Sequence, residues 1–297
     1  MEVRSFVLLM LIFGQALAAD EPPVQLKRVV ANGTEFSYVE SGKGQPLIFV
    51  HGELQDYRAW AKQVQAFAED YQVIAYSLRN HYPNLIAKDG PGDAAVEIHS
   101  ADLAAFLNAL NLQRVHIVAH SSGAHTALFF AADHPEMVRS LTLSEAPAIG
   151  LLRNSPIGLE MRKAMEHGLT PSHDAFRKGD LLDGVQKYAD CLMGAGGYER
   201  LPEDAQRSML DNAVAHAADV NARTPPWLFS CDMARNVTAP TLLISGSRSL
   251  PVFERINEEL KLCLPKSELA TISATHAGPM DNARAFNKIV RKFLEKK

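Results

Sequence analysis

The stretch Val115-His116-Ile117-Val118-Ala119-His120-Ser121-Ser122-Gly123 constrains the fold of this chain more than any other. An apolar run passes there through small-x-Ser-x-small straight into a helical pattern, so a strand must turn into a helix at Ser121. Small residues two positions before and after the serine are needed because the backbone approaches its neighbours closely. Ala119 stands where glycine is commonest in such turns, and alanine still meets the size requirement. Lifted clear of the sheet edge, Ser121 Oγ is a candidate nucleophile. The Ser122 amide, at the start of the next helix, is a candidate donor to a developing oxyanion. A pattern this loose also arises by chance, so its weight rests on the residues around it.

The rest of the chain supplies the rhythm that such a turn needs. Two extended stretches within 24–40 flank Asn32-Gly33, a dipeptide that favours a tight hairpin. Apolar strands are expected at 46–50, 72–76, 114–119, 140–144, 241–245 and 268–272. Helical periods fall between them, through Trp60, Val64 and Phe67, over 96–110, 122–132 and 252–262, and from Pro279 onward. This alternation predicts an α/β fold, a mostly parallel sheet flanked by helices on both faces. A helical stretch at 147–237 interrupts it. Because functional groups gather at the carboxyl ends of such strands, an insertion leaving from that edge is expected to act as a lid. The domain reading is a core of 24–146 and 238–297 with a lid at 147–237.

Composition excludes some partners. With 297 residues, 47% hydrophobic, 22% charged and a net charge of -4, the chain gives no electrostatic reason to expect nucleic acid, and a small molecule is the expected partner. Arg4, the apolar run from Phe6 to Phe13, and Ala16-Leu17-Ala18 have the layout of a secretory signal peptide, with cleavage expected after Ala18. The run is shorter than the roughly 20 residues a membrane span requires, so a soluble, exported (periplasmic or secreted) protein without a stable membrane anchor is expected. Glu2 weakens the charged start, and an uncleaved anchor is the alternative. Cys191, Cys231 and Cys263 are too few for a disulfide framework and match no zinc spacing. One bridge is expected between Cys191 and Cys231, both in the insertion, with Cys263 buried on a helix of the core. No metal or cofactor is expected, and oligomeric state leaves no mark in the sequence.

The serine turn, the His51-Gly52 turn after strand 46–50, the helical insertion and His276 after the last strand together resemble the α/β-hydrolase superfamily, from about Val24 to the C-terminus. The resemblance implies an eight-stranded sheet and a serine hydrolase mechanism without a cofactor. In Ala274-Thr275-His276-Ala277-Gly278, His276 takes the place of the general base. The usual acid position, third after the glycine that follows strand 241–245, holds Ser249, which carries no charge. Glu145, ending the preceding strand in Leu143-Ser144-Glu145-Ala146-Pro147, stands at the alternative acid position. Some branches use that position, including zearalenone-type lactonases with a Ser-His-Glu triad, and the segment from Ser121 to Pro147 is similar to theirs. The competing reading makes Glu145 a rim carboxylate and leaves no triad acid; Asp56, Glu254 and Asp232 have no positional support.

The second oxyanion donor is expected from the backbone amide of Glu53, or else Leu54, with the Glu53 side chain turned away or paired with a base such as Arg79. Leu54, Trp60 and Trp227 are candidate substrate contacts, and a core position explains Trp60 equally well. His120 is expected under the turn and His51 bracing it, while His81, His99, His116, His125 and His134 are read as surface or satisfied polar positions. Arg79-Asn80-His81-Tyr82-Pro83-Asn84 replaces an acidic, glycine-rich loop of similar proteins and has no assigned role. Leu151, Leu152, Met161, Met165, Leu192, Met193, Trp227 and Phe229 in the insertion suggest a hydrophobic substrate. The expected activity is hydrolysis of a carboxylic ester or lactone through an acyl-enzyme on Ser121. Two alternatives stand beside it: cleavage of a carbon–carbon or amide bond by the same residues, and a ligand-binding or receptor-like protein with little or no turnover. A serine nucleophile argues against dehalogenases and epoxide hydrolases, which resemble this fold but attack with aspartate.

Overall fold

The computed structural model describes residues 25–86, 90, 95–221 and 229–297, so the expected leader and Trp227 lie outside the described residues. At the start of the described chain, β1 (Leu26–Ala31) and β2 (Thr34–Ser41) form an antiparallel hairpin. Its turn is made by Asn32 and Gly33 at φ 44° and 73°, the left-handed region that this dipeptide tolerates. Next come β3 (Gln45–Val50), a 3₁₀ turn (Tyr57–Trp60) running into α1 (Ala61–Phe67), β4 (Tyr71–Tyr76) and α2 (Val96–Ala109). Then follow β5 (Val115–His120), α3 (Ser122–Asp133) and β6 (Val138–Ser144).

The insertion holds α4 (Pro156–Arg177), α5 (Leu181–Met193), α6 (Glu203–Asp211), α7 (Ala213–Asn221) and α8 (Cys231–Ala234). The chain closes with β7 (Thr241–Gly246), α9 (Pro251–Cys263), β8 (Ser267–Ile272), α10 (Gly278–Asp281) and α11 (Ala283–Leu294). The last helical region is therefore two helices. Asn282 separates them by capping the Ala285 amide at 3.2 Å.

The eight strands form one sheet in the order β1-β2-β4-β3-β5-β6-β7-β8, parallel from β4 to β8. All six residues of β5 are buried, as expected of a central strand covered on both faces, while the edge strand β8 exposes half its residues. Tyr76 and Phe106 stack at 4.6 Å between ring centroids in the cluster on the α2 and α3 face. On the other face, Trp60 packs between Phe49 (4.8 Å) and Phe286 (6.2 Å) and has no exposed surface. Trp60 is thus a core residue and not a substrate contact. Truncating it to alanine would cost about 3–5 kcal/mol.

The disulfide differs from the sequence expectation. It joins Cys231 to Cys263, with Cα atoms 5.2 Å apart, and Cys191 is free. The short helix α8 packs on α9 and brings those two cysteines together. Cys191, near the end of α5, instead lies against α4 at Gly168, where an added Cβ would fall 3.0 Å from its sulfur.

Candidate active site

Ser121 occupies φ 52°, ψ −125°, the strained conformation of a residue at the tip of a strand-to-helix turn. Two contacts hold it there. Its amide donates to Ser144 O at 2.9 Å, and its carbonyl accepts from His125 N–H at 3.1 Å. A Cβ on Gly123 would fall 2.1 Å from His51 O, which explains the small residue after the serine. One on Gly52 would fall 2.9 Å from Ser121 Cβ, so the His51-Gly52 turn abuts the nucleophile.

The three residues proposed for catalysis form one hydrogen-bonded line. His276 Nε2 accepts from Ser121 Oγ at 2.9 Å, and its Nδ1–H donates to Glu145 Oε2 at 2.6 Å. All three side chains are buried. Phe253 stacks on the imidazole at 4.4 Å, and Asp281 Oδ2 accepts from the Thr275 amide at 2.8 Å, fixing the loop that carries the ring. Glu145 itself sits at φ 53°, immediately after β6, with its amide donating to Ile244 O at 3.1 Å.

Ser249, which stands at the usual acid position, donates its hydroxyl to Glu145 Oε2 at 2.6 Å. The Gly246 amide donates to Oε1 at 2.7 Å. The carboxylate therefore accepts three hydrogen bonds, one of them from His276. Among the fallback acids, Asp56 is held by Arg58 and Asn212, Asp232 pairs with Arg235, and Glu254 is exposed; none contacts His276.

His51 and His120 brace the site as expected. The Nδ1–H of His51 donates to Gly52 O at 2.8 Å and its Nε2 accepts from Leu78 N–H at 2.9 Å, which ties the turn to the loop after β4. Burial pushes its pKa down to about 3 and keeps it neutral. His120 Nε2–H donates to His276 O at 2.8 Å, and burial likewise lowers its pKa to about 3. Gln55, which the sequence did not single out, accepts from the Gly52 amide at 2.9 Å. It thereby holds the turn from inside. Ser122 opens α3, where a helix leaves its first N–H groups without an intrahelical acceptor.

Several expectations for the substrate side are corrected. Leu54, at φ 54°, turns its side chain into the core and is fully buried. Glu53 does not turn away. It lines the cavity beside Ser121, accepting from Tyr188 Oη at 2.7 Å. Arg79 is committed to Asp102 through bonds of 2.7 and 2.5 Å. Of the apolar insertion residues, Met165 and Leu192 line the cavity, whereas Phe229 and Leu152 are core.

The cavity measures about 530 Å³ and is walled by α4, α5 and α7 of the insertion opposite Ser121 and His276. His81, His99 and His125, read from sequence as surface or satisfied polar positions, are buried residues of its wall, joined by His173 and His216. The His81 run now has a role. Asn84 bridges the Ser37 amide (2.7 Å) to Ser77 O (3.0 Å), and the Tyr82 amide donates to Asn212 Oδ1 at 2.8 Å. Held on both sides, His81 donates from Nδ1 to Arg79 O at 2.9 Å and faces the cavity. His173, Tyr188 and His216 lie in the insertion, where no local motif marks them.

Comparison with known proteins bears on the fold. A family model described as alpha/beta hydrolase fold matches residues 45–283. Epoxide hydrolase 3 of Xenopus tropicalis is 24% identical over 90% of this chain and 77% of its own. A non-heme haloperoxidase of Rhodococcus erythropolis is 25% identical over 89% and 97%. Among solved structures, a thermophilic esterase from Thermogutta terrifontis superposes with a TM-score of 0.71 at 22% identity, covering 92% of this chain and 98% of that one.

Proposed function

The chain belongs to the alpha/beta hydrolase fold family, and we propose that it is a serine hydrolase cleaving a carboxylic ester or lactone of a small molecule. The unbroken line from Ser121 through His276 to Glu145, at 2.9 and 2.6 Å, carries the proposal. Family membership alone does not select the chemistry, since one fold hosts many activities. A relative named as an epoxide hydrolase does not transfer its reaction here, because the residue at the tip of the turn is serine.

The reaction follows from the line. Ser121 Oγ attacks the acyl carbon while His276 Nε2 takes its proton, and the imidazolium is stabilised by Glu145. The amides of Glu53 and Ser122 donate to the oxyanion of the tetrahedral intermediate. His276 then returns the proton to the leaving oxygen as the carbon–oxygen bond breaks. Water, deprotonated by the same nitrogen, attacks the acyl-Ser121 ester and releases the acid and free serine.

Ser249 weakens the ligand-binding alternative. An uncharged residue at the usual acid position favours that reading, but here its hydroxyl is bonded to the glutamate that faces His276. We also propose that the protein acts outside the cytoplasm. The signal-like N-terminus and the Cys231–Cys263 bridge support export, since such bridges persist in oxidising compartments. The test is hydrolysis of a panel of 4-nitrophenyl esters and simple lactones beside Ser121→Ala, with mass spectrometry after a fluorophosphonate. A single adduct on Ser121 and turnover absent from the alanine variant are expected. Turnover equal in both proteins would overturn the proposal.

A further inference from the structure

The charge of the cavity wall is one-sided. Among the described residues, Glu53, Glu97, Glu166 and Asp219 line it, against the single guanidinium of Arg177. Most of these groups have partners: Arg162 Nε donates to Glu166 at 2.8 Å, Tyr188 Oη donates to Glu53 at 2.7 Å, Arg177 donates to Asp174 at 3.1 Å, and Asp219 is engaged as well. The histidines of the wall do not offset the balance. Burial lowers the pKa values of His99, His125 and His216 to about 4 and lowers those of His81 and His173 as well, so these rings are neutral near pH 7.

Glu53 is part of this wall, next to the nucleophile in the cavity lining. Its Oε2 accepts from Tyr188 Oη, whose own ionisation is suppressed by burial and by Glu53, while Oε1 has no donor among the described residues. His216 Nδ1 stands 3.7 Å from Oε2, beyond hydrogen-bond reach, and its side chain is only 3% exposed. Neither ring nitrogen of this buried histidine has a hydrogen-bond partner. A buried polar atom without a partner is costly, which marks it as a place for a ligand group. Phe176 and Tyr188 pack edge-on against the ring at 4.9 and 5.0 Å and fix its position.

We propose that the ester or lactone cleaved at Ser121 carries a cationic amine, and that Glu53, Tyr188 and His216 form the subsite that binds it. This rests on the acyl-hydrolase reading of the same cavity and names its substrate class. An ammonium has three N–H donors and no acceptor. Glu53 Oε1 and the acceptor nitrogen of neutral His216 take two of them. A carboxylate in the same place would be repelled by the charge of Glu53 and meet only the uncharged N–H of His216, with no cation to offset it. An uncharged hydroxyl would satisfy His216 and leave the charge of Glu53 unmatched.

The test uses 4-nitrophenyl esters with matched acyl chains ending in ammonium, hydroxyl, methyl or carboxylate, and a second series carrying the same groups on the alcohol side. In at least one series the ammonium ester should exceed its hydroxyl counterpart in kcat/KM by about tenfold or more, mainly through KM, with the carboxylate ester poorest. Glu53→Gln should lower the ammonium-to-hydroxyl ratio by about tenfold, and Glu53→Asp should keep part of the preference. A separate arm measures binding of n-hexylammonium, n-hexanol and hexanoate to the Ser121→Ala protein by calorimetry. Tighter binding of hexylammonium than hexanol, lost on adding Glu53→Gln, is expected. If no ester is turned over, the acyl-hydrolase reading fails and calorimetry alone decides the subsite. Equal binding of hexylammonium and hexanol, or a preference unaffected by Glu53→Gln, overturns the proposal.

Discussion

Replacing Glu145 with glutamine removes one charge and almost no volume, and the structure dictates what happens next. The Gly246 amide is a fixed donor 2.7 Å from Oε1, so the glutamine must place its carbonyl oxygen there. Its NH2 group then takes the place of Oε2, 2.6 Å from His276 Nδ1 and 2.6 Å from Ser249 Oγ. Ser249 adapts by rotating its hydroxyl to accept. His276 cannot adapt without cost: Nδ1 must become the acceptor, which puts the ring proton on Nε2, facing Ser121. In that tautomer the imidazole cannot receive the serine proton, and no carboxylate remains to stabilise an imidazolium. Loss of this kind lowers kcat on the order of 10⁴-fold in serine triads, or about 5.4 kcal/mol of barrier. The assay is steady-state hydrolysis of the best 4-nitrophenyl ester from the panel, with Ser121→Ala as the floor and circular dichroism to show that the variant is folded. A folded Glu145→Gln protein retaining more than a tenth of wild-type kcat would refute the tautomer argument and make Glu145 a rim carboxylate.

Ser249→Ala leaves Glu145 charged but removes one of its three donors, so kcat should fall by roughly 10- to 150-fold, the worth of one hydrogen bond to a charged group. A loss as large as that of Glu145→Gln would mean that the serine does more than hold the carboxylate. Gly123→Ala should destabilise by about 3 kcal/mol in urea unfolding, because its Cβ would meet the backbone oxygens of His51 and Val50 at 2.1 and 2.7 Å. An unchanged midpoint would show that the turn can relax. The buried histidines set the acid limit of stability. His99, His125 and His216 have folded pKa values of about 4, below the roughly 6.5 of an unfolded histidine, so the unfolded chain binds more protons between those limits. Stability is full above about pH 6.5 and declines as pH falls toward 4, and Tm measured across that window should drop steadily rather than stay flat. Non-reducing peptide mapping should recover Cys231 linked to Cys263 with Cys191 open to alkylation. Replacing the pair by serine should cost about 3.7 kcal/mol for a separation of 32 residues.

The turn at Ser121, the His51-Gly52 turn and the hairpin at Asn32-Gly33 were legible in the sequence because local sterics dictate them, whereas Glu145 and His276 stood out only through the resemblance of their segments to the α/β-hydrolase superfamily. Small residues, positive φ and strand ends leave a mark within a few positions along the chain. The alternation of apolar runs with helical periods carried the parallel sheet for the same reason, since burial on both faces must be written into each strand. What surrounds the nucleophile was not written locally. His81, His99, His125, His173 and His216 come from five separate segments and become one cavity wall only when the insertion packs opposite the sheet edge. The pairing of Cys231 with Cys263 was decided by α8 docking on α9, and Ser249 became a support for Glu145 only when β6 and β7 ended side by side. Contacts between distant segments are chosen by whichever packing buries the most apolar surface, and neither partner carries the other's address in its own neighbourhood.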